Sequence, residues 1–277
     1  GMSICVDGHA FDLLEGHVKD YTRTLNLKTG ETVREVTWVS PTGVEVTATF
    51  RRMVSLEQEH VFALCVDLSC DREAKLVIET GVDGAVTNSG AQHFENLERR
   101  VYDGVAMQYL SKTTQSDVWI AQHAACVLNR EADVLPVMGR RTLKNRYTLT
   151  LPARETLHME KLCTVYSTRD MAYEGMTPEE AKQAAKDDGM KALHNAIEQG
   201  YDTLLEKSAG VWARYWEESD VQIEGDADFD QLAVRFALYH LNIMVKHDDD
   251  RVGIGAKALT GEGYKGHSFW DTEMFIL

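Results

Sequence analysis

Positive charge and long apolar runs are both scarce in this 277-residue chain. It carries 29 Lys and Arg residues against 44 Asp and Glu residues, a formal net charge of -15 at pH 7. A surface this acidic repels polyanions, so we expect neither nucleic acid nor an anionic membrane surface as a partner. No apolar run approaches about 18 residues, the length that a membrane-spanning helix needs. The residues Met2 to Asp7 also lack the basic and apolar regions of a secretory signal.

The chain has few cysteines, and their number is odd. The five cysteines are scattered along the chain, which fits reduced and mostly buried thiols better than a disulfide framework. We therefore expect a cytoplasmic protein. Cys65 and Cys70 form the one near pair, but a C-x4-C spacing without a second ligand pair is a weak zinc pattern. Neither a metal site nor a bound cofactor is expected.

The first 170 residues have the character of β-strands. Val, Thr and aromatic residues alternate with polar ones, and turn signals such as Ser40-Pro41-Thr42-Gly43 separate the runs. Strands are predicted over 21–27, 33–39, 44–54, 60–68, 75–82, 118–128, 146–151 and 157–166. Residues 84–104 are too polar to assign. Many strands separated by turn signals predict an antiparallel β-sandwich over residues 1–170.

Helical patterns follow the strands. Thr177-Pro178-Glu179-Glu180 is a capping box with proline at the first helical position, and Gly200 ends the helix that it begins. A second helix over 201–216 carries one apolar face. Its aromatic side chains could form a sugar platform, but helical spacing favours core packing; they are Trp212, Tyr215 and Trp216.

A third helix begins near Asp228, which stands at capping-box spacing from Gln231. Its apolar residues fill more than one face, so other helices must bury it. The acidic run at 248–250 is interpreted as a solvated loop. Strands followed by helices predict an all-β domain and a separate helical one. We divide the chain into a sandwich at 1–170, linker helices at 171–225 and the start of a helical domain at 226–277.

The segment from Gly253 onward is rich in glycine and ends in an aromatic–acid cluster. Gly261, Gly263 and Gly266 spell G-x-G-x-x-G, but a dinucleotide site requires a strand directly before that motif, and none is predicted there. Spacing alone favours Phe269 and Trp270 as core residues that open a helix. The alternative is that Trp270 and Asp271 bind a sugar. An indole covers the apolar face of a pyranose ring, and a carboxylate accepts hydrogen bonds from sugar hydroxyls.

The segment Gly253–Glu273 closely resembles the signature of glycoside hydrolase family 65, the maltose, trehalose and kojibiose phosphorylases. The pieces at 7–8, 11–13, 34–38 and 40–43 resemble the family's N-terminal β-sandwich. The resemblance implies that residues 226–277 begin an incomplete (α/α)6 barrel, and that Trp270 and Asp271 bind substrate. Family members normally carry more sandwich sequence upstream of the point where this chain begins.

The resemblance also implies that no catalytic residue lies in these 277 residues, because the family's general acid and phosphate site lie downstream. Glu262 and Glu273 do not match the acid motif. The expected function is part of a disaccharide phosphorylase, inactive alone, which uses inorganic phosphate as co-substrate for inverting phosphorolysis of an α-glucosyl disaccharide such as maltose, trehalose or kojibiose. A disaccharide or glucose and a second copy of the chain are the expected partners. The alternatives are a trehalase-like hydrolase and a non-catalytic carbohydrate-binding or dimerisation module.

Overall fold

A computed structural model describes residues 1–246, 248–257, 261 and 263–270. Within these residues, thirteen strands precede two long helices. The strands are β1 (Met2–Val6), β2 (His9–Ala10), β3 (His17–Asn26), β4 (Glu31–Val39), β5 (Glu45–Val54), β6 (Val61–Cys70), β7 (Ala74–Asp83), β8 (Phe94–Tyr102), β9 (Ala106–Thr113), β10 (Trp119–Leu128), β11 (Asp133–Met138), β12 (Thr142–Leu151) and β13 (Thr156–Ser167). The helices are α1 (Pro178–Ser219) and α2 (Asp228–Met244).

The strands form two antiparallel sheets. The small sheet has the order β11-β12-β7-β1-β2, and the large sheet has the order β3-β4-β5-β6-β13-β10-β9-β8. Their facing sides share one apolar core, in which Trp38, Leu68 and Leu76 are fully buried. The turn at 40–43 closes with a hydrogen bond of 2.9 Å from the Gly43 amide to the Ser40 carbonyl. The predicted β-sandwich and the helices after it are therefore confirmed.

The outer side of the large sheet carries a second core beneath α1. Ala63 and Cys65 of β6 and Leu162 of β13 pack there against Leu193 and Leu204 of α1. The two strands thus carry buried side chains on both faces, which fits the apolar run at 61–66 in β6. The molecule consequently has three layers, in the order small sheet, large sheet and helix.

Helix α1 is two helical segments joined at Gly200. The capping box at its start is present, because the Thr177 amide donates to the Glu180 carboxylate at 2.9 Å and the Glu180 amide donates to the Thr177 hydroxyl at 3.4 Å. Gly200 has φ 72° and ψ 169°, a conformation open to glycine and strained for other residues. The Tyr201 amide then donates to the Glu160 carboxylate at 3.0 Å, so the sheet supplies the cap of the second segment. The predicted helix end at Gly200 is confirmed.

The first segment of α1 lies closest to the sheet at Gly189. The Thr164 hydroxyl donates to the Gly189 carbonyl at 2.8 Å, and the buried ring of His123 lies directly beneath. A Cβ atom at Gly189 would stand 2.5 Å from ring atoms of His123. Glycine is therefore required here for close approach of helix and sheet rather than for backbone freedom.

The structure corrects several details of the sequence interpretation. Strands β1, β2, β8, β9 and β11 were not predicted. Helix α2 is preceded by Ala227 as N-cap without a side-chain hydrogen bond, so the predicted cap at Asp228 is wrong. The side chain of Gln231 instead donates from Nε2 to the Val221 carbonyl at 2.8 Å, and its Oε1 accepts from the Ile223 amide at 2.9 Å. These two hydrogen bonds hold α2 against the preceding link. The boundaries at 170 and 225 stay predictions.

All five cysteines are free thiols, and four of them are buried, as the sequence predicts. None of the described helices has the length and apolar character needed to cross a membrane.

Candidate functional site

The predicted sugar-binding segment forms a compact loop around its glycines. The backbones of Gly255 and Gly266 approach so closely that a Cβ at Gly255 would lie 3.2 Å from the Gly266 Cα. The Ala256 amide donates to the His267 carbonyl at 3.2 Å, and the His267 amide donates to the Tyr264 carbonyl at 3.0 Å. No strand is present among the described residues of 248–270. The context that a dinucleotide fingerprint requires is therefore missing from that part.

Trp270 lies on the surface of this loop. Its side chain is 79% exposed, while the neighbouring Phe269 packs edge-on against Tyr264 at 5.2 Å between ring centroids. The indole of Trp270 is therefore accessible in this chain. Asp271, its predicted partner in substrate binding, lies outside the described residues, as do Glu262 and Glu273. The pairing of Trp270 with Asp271 stays a prediction.

The aromatic side chains of α1 are structural. Trp212 stacks on Tyr239 of α2 at 4.6 Å with an interplanar angle of 16°. The Tyr215 hydroxyl donates to the Leu238 carbonyl at 3.0 Å, and the Trp216 indole donates to the Leu27 carbonyl at 2.8 Å. These contacts fix α2 on α1 and fix both on the β3–β4 turn. Core packing was thus the right interpretation for them.

A cleft of about 1630 Å³ runs from the inner face of the large sheet to the helix pair. Its sheet end carries Arg34, whose guanidinium lies 4.2 Å from the Phe50 ring centroid. Burial and the nearby Arg52 lower the pKa of Arg34. Two lining carboxylates, those of Glu59 and Asp248, are ion-paired with Lys246. Because both carboxylates are held by the Lys246 ammonium group, neither is a good candidate for a general acid in this cleft.

Helix α2 leaves one apolar face uncovered. Its exposed side chains include Phe229 at 80%, Leu232 at 58% and Phe236 at 51%. Tyr239 of the same helix, in contrast, is 7% exposed and packs on Trp212 of α1. The stacking partner on α1 explains the difference.

One polar cluster was missed in the sequence. Cys65 and Asp67 of β6 lie beside His158 and Glu160 of β13. The carboxylates of Asp67 and Glu160 are placed to accept hydrogen bonds from the His158 ring, with an Asp67 oxygen 2.7 Å from Nδ1 and a Glu160 oxygen 3.3 Å from Nε2. Burial alone would lower the pKa of His158, but the hydrogen bonds to both carboxylates raise it overall. Burial and Asp67 raise the pKa of the Cys65 thiol to about 12.

The signal for this cluster is faint. It consists of one C-x-D pair and one H-x-E pair, and in each the two side chains point to the same face of a strand. Only the pairing of the two strands brings the four side chains together. The C-x4-C spacing of Cys65 and Cys70 is the easier pattern to recognise in the sequence. Cys70 lies five residues from Cys65, on the opposite face of β6, in the core between the sheets.

Comparison with known proteins decides the family. Residues 1–215 match the model of the N-terminal domain of glycosyl hydrolase family 65, and residues 235–277 match that of its central catalytic domain. The chain belongs to glycosyl hydrolase family 65. The family 65 resemblance seen in the sequence is thereby confirmed, and the loop bearing Trp270 falls in the match to the catalytic domain.

Among relatives of this family 65 chain, the kojibiose phosphorylase of Halothermothrix orenii is 38% identical over 100% of the chain and 36% of its own length. The kojibiose phosphorylase of Escherichia coli is 34% identical with the same coverage. The nigerose phosphorylase of Lachnoclostridium phytofermentans is 24% identical over 98% of the chain and 37% of its length. The chain thus spans little more than a third of the curated relatives that it matches.

A solved structure shares the fold. It is a provisionally named kojibiose phosphorylase from the human microbiome, with a TM-score of 0.87 and 20% identity over 98% of this chain and 35% of its own. At that identity the likeness concerns the arrangement of the sheets and helices alone.

Proposed function

We propose that this chain is part of a disaccharide phosphorylase that cleaves an α-glucosyl disaccharide, with kojibiose as the first candidate. The observation that carries the proposal is the 38% identity, over the whole chain, to the kojibiose phosphorylase of Halothermothrix orenii. The matched relatives named as nigerose and trehalose phosphorylases support the same class of reaction.

The proposed reaction exchanges a sugar–sugar bond for a sugar–phosphate bond. A phosphate oxygen attacks the anomeric carbon of the glucosyl unit while the bond from that carbon to the leaving oxygen breaks. A general acid protonates the leaving oxygen, so the products are free glucose and glucose 1-phosphate of inverted configuration. Phosphate is already anionic, and no carboxylate base is needed to activate it. The protein must instead supply donors and positive charge for phosphate.

In this proposal Trp270 covers the face of the glucosyl ring and Asp271 accepts hydrogen bonds from its hydroxyls. The exposure of the Trp270 indole supports the first role. The general acid and the phosphate pocket are proposed to lie outside these 277 residues. With a net charge of -15, the partners are proposed to be a neutral sugar and phosphate rather than nucleic acid or a membrane surface, in a cytoplasmic setting.

The test compares the chain alone with a chimera. In the chimera, residues 1–277 replace the matching third of the Halothermothrix orenii relative. Each protein is incubated with kojibiose, nigerose, trehalose or maltose and inorganic phosphate, and glucose 1-phosphate and glucose are measured. We expect no turnover by the chain alone, because lack of a positioned acid costs a factor of about 10²–10⁴. The chimera should form glucose 1-phosphate from kojibiose.

Three results would contradict the proposal. Glucose without glucose 1-phosphate would indicate the hydrolase branch. A chimera that folds and binds sugar without turning it over would favour a binding module. Turnover by the chain alone that is lost on mutation of Glu262 or Glu273 would place the acid within these residues.

A further inference from the structure

We propose that Cys65, Asp67 and His158 bind one Zn²⁺ ion on the outer face of the large sheet, at a site separate from the proposed sugar site. The three residues offer a sulfur, an oxygen and a nitrogen ligand atom that all lie within 4.8 Å of one another. The site rests on the geometry of two paired strands and does not depend on the proposed phosphorolysis.

Strand register builds the cluster. In the antiparallel pair of β6 and β13, Cys65 stands opposite Glu160 and Asp67 stands opposite His158. Residues two apart on a strand point to the same face, so all four side chains project from the same patch of sheet. The backbone of two buried, fully paired strands therefore holds the ligands, rather than a loop.

The distances are close to those that zinc requires. The Cys65 Sγ atom lies 3.8 Å from His158 Nδ1 and 4.0 Å from Asp67 Oδ2. Bonds of about 2.3 Å to sulfur and 2.0–2.2 Å to nitrogen and oxygen in a tetrahedron separate the ligand atoms by roughly 3.3–3.6 Å. The sulfur contacts to His158 Nδ1 and to Asp67 Oδ2 exceed this range by a few tenths of an ångström. The Asp67 oxygen that contacts His158 is the other one, Oδ1, at 2.7 Å from Nδ1, so the carboxylate must turn to present a single oxygen to the ion at about 3.3 Å from Nδ1.

The set of donors selects the metal. A thiolate, an imidazole and one carboxylate suit Zn²⁺, whereas Mg²⁺ and Ca²⁺ prefer oxygen ligands alone. Glu160 completes the arrangement, because its carboxylate lies 3.3 Å from His158 Nε2. A carboxylate that accepts from the second ring nitrogen fixes the tautomer that leaves Nδ1 free for metal. Glu160 is itself held by the Tyr201 amide.

The ion has a route from solvent. The side chains of Asp67 and His158 are 38% and 36% exposed, whereas Cys65 lies at the buried end of the cluster. Three protein ligands leave the fourth tetrahedral position for water on the exposed side. On binding, the Cys65 thiol loses its proton to solvent, and its thiolate bonds to the ion.

The experiment uses the purified chain after treatment with chelator and reductant. Titration with Co²⁺ under argon should produce a thiolate-to-cobalt charge-transfer band that saturates at one ion per chain. Zn²⁺ should abolish the band, and competition against a chromophoric chelator gives the Zn²⁺ affinity.

Four variants locate the ion. Cys65→Ser should abolish the band, and His158→Gln should weaken Zn²⁺ binding at least tenfold. Glu160→Gln should weaken it by about 10–100-fold, the usual effect of losing a partner of a ligating histidine. Cys5→Ser is the control, because Cys5 is outside the cluster, and it should bind as the parent does. His158 is partly exposed, so its variant tests the site even if Cys65→Ser does not fold.

Absence of a charge-transfer band in the parent chain would overturn the proposal. So would an unchanged Zn²⁺ affinity in His158→Gln, or a band lost in Cys5→Ser but kept in Cys65→Ser.

Discussion

Two glycines in α1 provide a matched test of how the helix lies on the sheet. In an exposed helix interior, replacing glycine by alanine stabilises a protein by about 1 kcal/mol. Gly210 is exposed, and a Cβ there would meet nothing within 4 Å. Gly210→Ala should therefore raise the free energy of unfolding by up to about 1 kcal/mol.

Gly189→Ala should have the opposite effect. Its Cβ would lie 2.5 Å from Cε1 and Nδ1 of His123 and 3.3 Å from Cδ2 of Tyr166. His123 is 1% exposed, so its ring cannot move aside without displacing the core. Overpacking of this kind costs about 1–3 kcal/mol, which outweighs the helical gain of about 1 kcal/mol. We expect Gly189→Ala to lower the free energy of unfolding by up to about 2 kcal/mol.

The assay is urea unfolding followed by far-ultraviolet circular dichroism for the parent and both variants, with equal slopes required for comparison. The two alanine variants should differ by about 1–3 kcal/mol, the cost of the overpacking at Gly189. Equal stabilisation by both substitutions would refute the close contact between α1 and the His123 ring.

Three further predictions follow from the site, the core and the surface. In the proposed disaccharide phosphorylase, Asp271→Ala should lower kcat/KM by the equivalent of about 1.5–3 kcal/mol, as loss of a charged hydrogen bond to substrate does. Trp270→Ala should cost a comparable amount through lost ring contact, and steady-state kinetics measure both effects. Burial, with His194 and Lys186 nearby, lowers the pKa of His123 to about 4 in the folded chain, so the unfolded chain takes up this proton first. The free energy of unfolding should therefore fall by about 1.4 kcal/mol per unit as the pH is lowered from about 6.5 to about 4. His123→Gln should remove this contribution to the pH dependence measured by urea unfolding. The chain should self-associate through residues 229–277, and Phe229→Asp with Phe236→Asp should reduce the mass found by light scattering, because the two exposed rings form an uncovered apolar face.

Each of these has a contradicting result. Unchanged kinetics in Asp271→Ala would show that the family role belongs to another residue. An identical pH dependence of stability in His123→Gln and the parent would show that His123 does not titrate as described. A parent chain that is monomeric at all concentrations would remove the need for a partner on α2.

Most strands could be predicted where one face is buried and the other is not. β5 alternates between buried and less buried residues from Glu45 to Arg51, and its predicted and observed bounds agree within one residue at its start and coincide at its end. β9 is buried on both faces over its first six residues and so lacks alternation, while β8 is an edge strand with charged residues. Neither had a periodic signal.

The two candidate sites also differ in how far the sequence alone reveals them. The loop that carries Trp270 is a contiguous sequence motif, so the sequence alone reveals it. The cluster of Cys65, Asp67, His158 and Glu160 joins two segments about ninety residues apart, as the 2.7 Å contact between His158 and Asp67 shows. Register between distant strands depends on the whole sandwich, and no local pattern specifies it.

The break at Gly200 separates the second segment of α1 from the first. From Tyr201 to Ser219 the second segment extends about 28 Å at 1.5 Å per residue, and α2 is fixed at its far end through Trp212 and Tyr215. A tilt of about 2° at the base moves the tip by about 1 Å, an error that can cost an enzyme a factor of about 10². Contacts along the segment resist such a tilt: the Tyr201 amide donates to the Glu160 carboxylate at 3.0 Å, the Leu56 amide donates to the Ser208 hydroxyl at 3.1 Å, and the Trp216 indole donates to the Leu27 carbonyl at 2.8 Å. Together these hydrogen bonds limit how far α2 can shift relative to the sandwich.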